Sequence, residues 1–393
     1  MMDETWTIKR CLDWTNAYLE SKGIESPRVS AEWLLCSVTG LKRIQLYMDY
    51  AKPLSADELS RMHQAVVRRA KGEPLQYIVG DTSFRTIEIA CEPGVLIPRP
   101  ETEVLVEEVL TFIDREVLGD SGRLAARERT VLPWNEQVEA ARRAEEQQAA
   151  ERDDADGSEE GEPQTDADRH GAEKGPAPVV ADDAGDVEEK MPDDDASADA
   201  EGPRVARVLE VGCGTGCISL SLAVERPGRV TCVATDIEPR AVALTCRNRD
   251  ALGVAPDVVD VREGNLVSPL DRETEWGTFD VLVSNPPYIP TDVMRELPRE
   301  VADYEPHLAL EGGADGLDIF RRLVNAAPSM LRSDGLLACE LHETTLDAAA
   351  EICRAAGFED VRIARDLPGR PRFILARVPE AAVAAARRRF VRE

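Results

Sequence analysis

Between residues 205 and 378 short apolar runs alternate with stretches of helical period, and this alternation constrains the fold more than any other feature. Runs at 205–211, 229–234, 258–261, 279–283, 335–341, 361–364 and 372–378 read as strands. Segments at 218–225, 239–252, 315–331 and 344–357 read as helices. The order predicts a doubly wound α/β domain over 204–393, in which a ligand sits beyond the carboxyl ends of the strands.

Residues 1–75 follow the helical period instead. Ile8, Cys11, Leu12, Tyr18 and Leu19 fall on one face, a second helix is expected from Ser30 to Gly40, and a third opens at Ser55 with Glu58 at capping-box spacing. Residues 76–118 change period: Ile87, Ile89 and Cys91 alternate with polar neighbours as in a hairpin, and a helix follows Pro100 with Glu101 and Glu103 in its first turn. Residues 119–203 are rich in Ala, Asp, Glu, Gly and Pro and carry no recurring apolar face, which predicts an acidic, low-complexity, disordered insertion with helical spells near 138–151.

Charge and composition remove several classes. The 393 residues carry 47 basic and 75 acidic side chains, a net charge of −28, and residues 145–201 alone hold 22 acidic against 4 basic ones. A broad basic groove for duplex nucleic acid is therefore not expected. No apolar run approaches the ~18–20 residues of a membrane span, and the opening Met1-Met2-Asp3-Glu4-Thr5-Trp6 lacks a secretory signal, so a cytoplasmic protein is expected. The nine cysteines form no Cys-x-x-Cys pair, and His63, His170, His307 and His342 show no metal spacing, so no metal site and no disulfide framework is expected. A monomer is the default.

Two turns carry the chemistry. Glu210-Val211-Gly212-Cys213-Gly214-Thr215-Gly216 joins an expected strand to an expected helix, where glycines let a ligand reach the backbone and the helix N-terminus offers free N–H donors. No Gly-Lys-Ser/Thr element is present, so this is not a triphosphate loop. Asp236, at the end of the next strand, suits a carboxylate that accepts from the two hydroxyls of a ribose. Gly-x-Gly-x-Gly followed by that acid resembles the S-adenosylmethionine site of class I methyltransferases. The second turn is Asn285-Pro286-Pro287-Tyr288, directly after an apolar strand. Two prolines fix the backbone and donate nothing, while Asn285 adds an acceptor and Tyr288 a ring and a hydroxyl. The set suits a planar –NH2 group, and it resembles the signature of methyltransferases acting on amino nitrogens of amides or nucleobases.

A closer resemblance spans the chain outside the acidic insertion. Leu96-Ile97-Pro98-Arg99-Pro100-Glu101-Thr102-Glu103, the Asn-Pro-Pro-Tyr turn, Tyr304-Glu305-Pro306 with Leu308-Ala309-Leu310, and Arg365-Asp366-Leu367-Pro368-Gly369-Arg370 occur in one order. Together they resemble the peptide chain release factor N5-glutamine methyltransferases (the PrmC/HemK family). The resemblance implies S-adenosylmethionine as cofactor, a substrate-recognition role for residues 1–75, and class 1 release factors as protein partners, modified at the glutamine of a Gly-Gly-Gln loop. It implies that Gly212, Cys213, Gly214, Thr215 and Gly216 hold the methionine part, and that Asp236 binds the ribose. Asn285, Pro286, Pro287 and Tyr288 would grip the substrate glutamine, with Asn285, Pro286 and Tyr288 catalytic and Asn285 also against the cofactor. Asn265-Leu266 stands where the family usually has Asp, often followed by an aromatic, near the adenine. An adenine-N6 methyltransferase on DNA or RNA, a methyltransferase acting on a ribosomal-protein glutamine, and a noncatalytic cofactor-binding scaffold recruiting partners through its insertion are the alternatives. Neither Glu305 nor His307 receives a role from sequence.

Overall fold

The computed structural model describes residues 5–119 and 204–390. The expected disordered insertion, the helical spells near 138–151 and His170 lie outside the described residues. The chain before and after that segment belongs to one unit.

Helices α1 (Ile8–Ser21), α2 (Pro27–Thr39), α3 (Arg43–Met48), α4 (Ala56–Ala70) and α5 (Leu75–Val79) come first. The Ile8, Cys11, Leu12 and Leu19 face of α1 packs on Leu34, Leu35 and Val38 of α2 and on Met62 and Val66 of α4. Ser55 and Glu58 close a reciprocal capping box at the start of α4. Helix α2 starts at Pro27, three residues before the expected Ser30. Proline at the first helical position sets φ at no hydrogen-bonding loss, and Ser30 is buried inside the helix, where its hydroxyl accepts from Arg69 Nε at 3.3 Å. The same Arg69 donates to Glu300 Oε2 at 2.9 Å, tying the bundle to the short helix at 299–302 of the α/β domain.

A hairpin of β1 (Asp81–Phe84) and β2 (Ile87–Ala90) leads into α6 (Thr102–Phe112), which continues as one turn of π-helix over Ile113–Val117. Then follow β3 (Ala206–Val211), α7 (Cys217–Glu225), β4 (Val230–Asp236), α8 (Pro239–Ala251), β5 (Val259–Glu263), β6 (Phe279–Ser284), α9 (Arg299–Ala302), α10 (Asp318–Met330), β7 (Leu331–Glu340), α11 (Leu346–Ala355), β8 (Glu359–Arg365), β9 (Pro371–Val378) and α12 (Glu380–Phe390). The seven strands lie in the order β5-β4-β3-β6-β7-β9-β8, parallel except that β9 runs against both neighbours. The sheet is thus doubly wound as expected, but mixed at β9, one strand in from its β8 edge.

Alternation along the strands divides the core. Val208, Val281, Val283, Ala338 and Phe373 face α6 and α7, while Leu209, Leu282, Leu337, Cys339 and Ile374 face α10 and α11. The β6–β7 ladder shifts register between Phe279 and Val281, and these two odd-numbered residues pack on opposite faces. The chain leaves β3 toward β4 and β5, then returns to β6 on the other side of β3. The switch point, where a crevice must open, is therefore between β3 and β6.

Two features near that crevice have measurable consequences. Gly312, between β6 and α10, lies so close to the turn after β6 that a Cβ there would stand 2.7 Å from Gly316 O and 2.8 Å from both Pro287 O and Tyr288 Cα. All three are backbone atoms and cannot rotate away. Gly312→Ala should destabilise the protein by about 1–3 kcal/mol, seen as a lower urea midpoint at unchanged m-value. The second is Glu210 on β3, whose buried carboxylate accepts from the backbone N–H of Ser219 at 3.0 Å and from the Ser219 hydroxyl, linking the strand to α7. Burial pushes its pKa up to about 8 from 4.5, against the Ser219 hydrogen bonds. The folded chain thus keeps a proton that the unfolded chain releases, so stability falls as pH rises from about 5 to about 8, by up to about 1.4 kcal/mol per unit. Glu210→Gln should flatten this part of the Tm-against-pH curve. Parallel curves for the two proteins would refute the assignment.

Candidate functional site

Beyond the carboxyl ends of β3 and β6 lies a cavity of about 250 Å³, lined by both turns that the sequence singles out. In-register pairing of Leu209 with Leu282 and Glu210 with Val283 brings them together, and Ser284 Oγ donates to Val211 O at 2.6 Å at their common root.

The glycine turn is shaped by its neighbours. Gly212, Gly214 and Gly216 have φ of +76°, +57° and +82°, values that side-chain-bearing residues rarely adopt. Gly212 N and Cys213 N donate to Thr235 O at 2.8 and 3.0 Å, while Thr245 Oγ1 and Asn248 Nδ2 of α8 donate to Gly214 O and Thr215 O at 3.0 and 2.9 Å. Gly212, Cys213, Gly214 and Thr215 line the cavity. Gly216 does not: it faces α8, where a Cβ would stand 2.6 Å from Thr245 Cγ2.

Asp236, at the end of β4, presents its carboxylate to the same space. Oδ2 accepts from Gly214 N and Oδ1 from Glu238 N, each at 2.9 Å, and each oxygen keeps a further lone pair. Burial raises its pKa, opposed by these backbone donors. Asn265 and Leu266 lie on the same wall with Ile237, Ile319 and Arg322. Arg322 Nη2 donates to Asn265 Oδ1 at 2.9 Å, a partner invisible in sequence.

Across the cavity stand Asn285, Pro286 and Pro287. Asn285 Nδ2 donates to Thr102 Oγ1 at 3.1 Å, whereas Asn285 Oδ1 is buried with no hydrogen-bond partner among the described residues. Tyr288 departs from the sequence expectation. It is not part of the lining; its ring packs on the α10 side of the core under Arg372, whose guanidinium is 5.3 Å from the ring centre. Its hydroxyl donates to Glu340 Oε1 at 3.0 Å, and burial beside Glu340 pushes its pKa well up. Apolar packing and a buried carboxylate hold this ring as a support behind the turn.

The arginine and threonine of the Arg-Pro-Glu-Thr segment also find partners. Arg99 Nη2 donates to the buried Glu305 at 2.7 Å, so Glu305 pairs with Arg99 and is absent from the lining, and the exposed His307 is absent too. Thr102 Oγ1 donates to Glu340 Oε2 at 2.6 Å, and Arg372 Nη2 reaches Glu340 Oε1 at 3.2 Å. Glu340, Arg372 and Gly312 are functional candidates that sequence reasoning passed over. The signal for Glu340 was an acid closing an otherwise apolar strand, Leu336-Leu337-Ala338-Cys339-Glu340.

The PrmC N-terminal domain model matches residues 10–80, and the methyltransferase small domain model matches residues 198–297. The release factor glutamine methyltransferase of Geobacter sulfurreducens is 34% identical over 375 residues, spanning 95% of this chain and 98% of its own. That of Chlorobaculum tepidum is 33% identical over 367 residues, spanning 93% and 95%. The MTRF1L release factor glutamine methyltransferase of Homo sapiens is 27% identical, spanning 92% and 84%. Among solved structures, a methyltransferase from Pyrococcus furiosus superposes at a TM-score of 0.34 with 20% identity, over 45% of this chain and 77% of that one. The methyltransferase match and the strand order make this a class I S-adenosylmethionine-dependent methyltransferase fold with an N-terminal helical domain. With identity sustained along nearly the full length of both chains, the chain belongs to the release factor glutamine methyltransferase family.

Proposed function

We propose that this protein transfers the methyl group of S-adenosylmethionine to the side-chain amide nitrogen, N5, of the glutamine in the Gly-Gly-Gln loop of class 1 peptide chain release factors. The observation that carries the reading is Asn285 Oδ1: a buried acceptor without a partner, on the wall of a cavity shared with the glycine turn. A buried oxygen in that state costs free energy unless a donor arrives, and a carboxamide –NH2 is such a donor.

The cavity suits the cofactor by its chemistry. Asp236 offers lone pairs to ribose hydroxyls, Gly212 to Thr215 offer close backbone approach, and Leu266, Ile237 and Ile319 give an apolar wall for a flat base. In this reading Gly212, Cys213, Gly214 and Thr215 flank the methionine part, Gly216 shapes the turn from behind, and Asn265 and Leu266 border the adenine. The sulfonium group of the bound cofactor supplies an electrophilic methyl carbon.

The residues of the chain do the rest. An amide nitrogen is a poor nucleophile because its lone pair is delocalised into the carbonyl. Asn285 Oδ1 and the Pro286 carbonyl accept the two N–H groups of the substrate, aim the nitrogen at the methyl group, and favour loss of amide planarity. Pro287 stiffens the turn and Tyr288 anchors it from beneath through Glu340. Orientation of this kind is worth roughly 7–11 kcal/mol in well-aligned reactions, so no strong base is required, and the proton leaves once the nitrogen is cationic. The helical bundle recognises the substrate protein, for which exposed Trp14, Trp33, Tyr47 and Met48 offer contact area. The enzyme works as a cytoplasmic monomer without a nucleic-acid target; among the described residues no helix is long and apolar enough to cross a membrane. The names of the relatives favour glutamine over a nucleobase as acceptor.

Incubated with enzyme and cofactor, a purified class 1 release factor should gain one CH2 unit on the tryptic peptide that holds the glutamine, read by mass spectrometry; methyl label in nucleic acid instead would overturn the reading. Asn285→Ala should lower kcat by roughly 10²–10³-fold while the Kd for the demethylated cofactor changes only a few-fold. Equal loss of both would contradict the role given to Oδ1.

A further inference from the structure

We propose that Thr102 and Glu340 are positioning residues that fix which way the Asn285 carboxamide faces, turning Oδ1 and not the –NH2 group toward the cavity. The inference deepens the release-factor reading and rests on it. A carboxamide has two orientations related by a half-turn, of nearly identical shape, and packing alone does not choose between them. Only one of them lets Asn285 accept from a substrate –NH2; the other would aim two donors at two donors.

The choice is made by hydrogen-bond direction. Glu340 is fully buried at the end of β7, and its Oε1 already takes the Tyr288 hydroxyl at 3.0 Å and Arg372 Nη2 at 3.2 Å. Burial raises the Glu340 pKa while Thr102, Arg372 and Tyr288 pull it down, and with Oε1 taking two donors, one of them a cation, Glu340 stands as a carboxylate, which has acceptors and no donor. Its Oε2, 2.6 Å from Thr102 Oγ1, therefore claims the single hydroxyl proton of Thr102. With that proton committed, Thr102 Oγ1 has only lone pairs left for Asn285, 3.1 Å away, and the Asn285 atom facing it must be the donor, Nδ2. Oδ1 is then the acceptor of this amide left free, buried and without a partner among the described residues. The flipped amide would set two oxygens against each other in a site where Thr102 is 2% and Glu340 0% exposed.

The relay joins four elements: the first residue of α6, the residue after β6, the last residue of β7, and Arg372 of β9. None of Thr102, Glu340 and Arg372 needs to touch the reacting atoms. Thr102 is part of the lining, and neither Glu340 nor Arg372 lines the cavity.

The test uses the full-length protein and three substitutions. Thr102→Val keeps the shape and removes the hydroxyl, Thr102→Ser keeps the hydroxyl, and Glu340→Gln offers Thr102 a donor, which reverses the direction of the relay. Thr102→Val and Glu340→Gln should lower kcat on release factor roughly 10–100-fold, with KM for the cofactor and Kd for its demethylated product within a few-fold of wild type. Thr102→Ser should restore most of the activity. Thermal melts of all three keep loss of folding separate from loss of orientation. An active wild type with Thr102→Val or Glu340→Gln unchanged in kcat would overturn the relay alone, as would Thr102→Ser impaired as badly as Thr102→Val. A wild type that leaves release factor unmethylated would remove the functional reading and the relay with it.

Discussion

Parallel pairing of β3 with β6 is the constraint on which everything else in this molecule depends. The two strands are separated in sequence by two further strands and two helices, yet Glu210 lies in register with Val283. That register sets a glycine turn and a proline turn side by side at the one place where the sheet reverses its winding. A slip of one residue would turn Val281 and Val283 out of the α6 and α7 face and carry Asn285 away from the cavity. The apolar core is thus the device that holds the two turns within reach of one ligand.

Around those turns, buried polar groups supply what apolar packing does not, which is direction. Glu210 braces the strand that delivers the glycine turn, and Glu340 gathers Thr102, Tyr288 and Arg372 behind the proline turn. Burying a carboxyl group costs free energy whether it is ionised or keeps its proton, and removing one of its partners leaves an uncompensated polar atom. A chain that keeps two of them beside its cavity gains orientation of neighbouring groups in return. The raised pKa values of both carboxyls reflect that burial, with hydrogen bonds and, for Glu340, Arg372 pulling the other way.

What sequence could disclose follows the range of each interaction. The strand–helix alternation, the α1 stripe, the Ser55 capping box and both turns are local patterns, written within a few residues, and each was legible. Helices α3 and α5 were missed because five or six residues are too few to show a period. The antiparallel insertion of β9 beside β7 and the register of β6 depend on pairing that the local pattern does not record. The Thr102–Glu340 bond joins residues 238 positions apart and the Asn285–Thr102 bond residues 183 apart. Motif reading marked Asn285 as an acceptor and placed Tyr288 in the pocket, whereas the ring folds behind the turn, because a turn sequence does not say to which side its last ring folds.

Asn265 shows the same limit in the other direction. Read alone, it is a neutral acceptor near the adenine end of the cavity, in place of the acid usual in the family. In the fold its Oδ1 already accepts from Arg322 at 2.9 Å. An aspartate there would form an ion pair with Arg322, whereas asparagine gives a single bond between a cation and a dipole at an exposed position, which is weak in water. Arg322 can therefore move off Asn265 at small cost, and its planar guanidinium lies on the wall that a flat base would face. The arginine that shares this lining with Asn265 and Leu266 comes from α10, over fifty residues downstream.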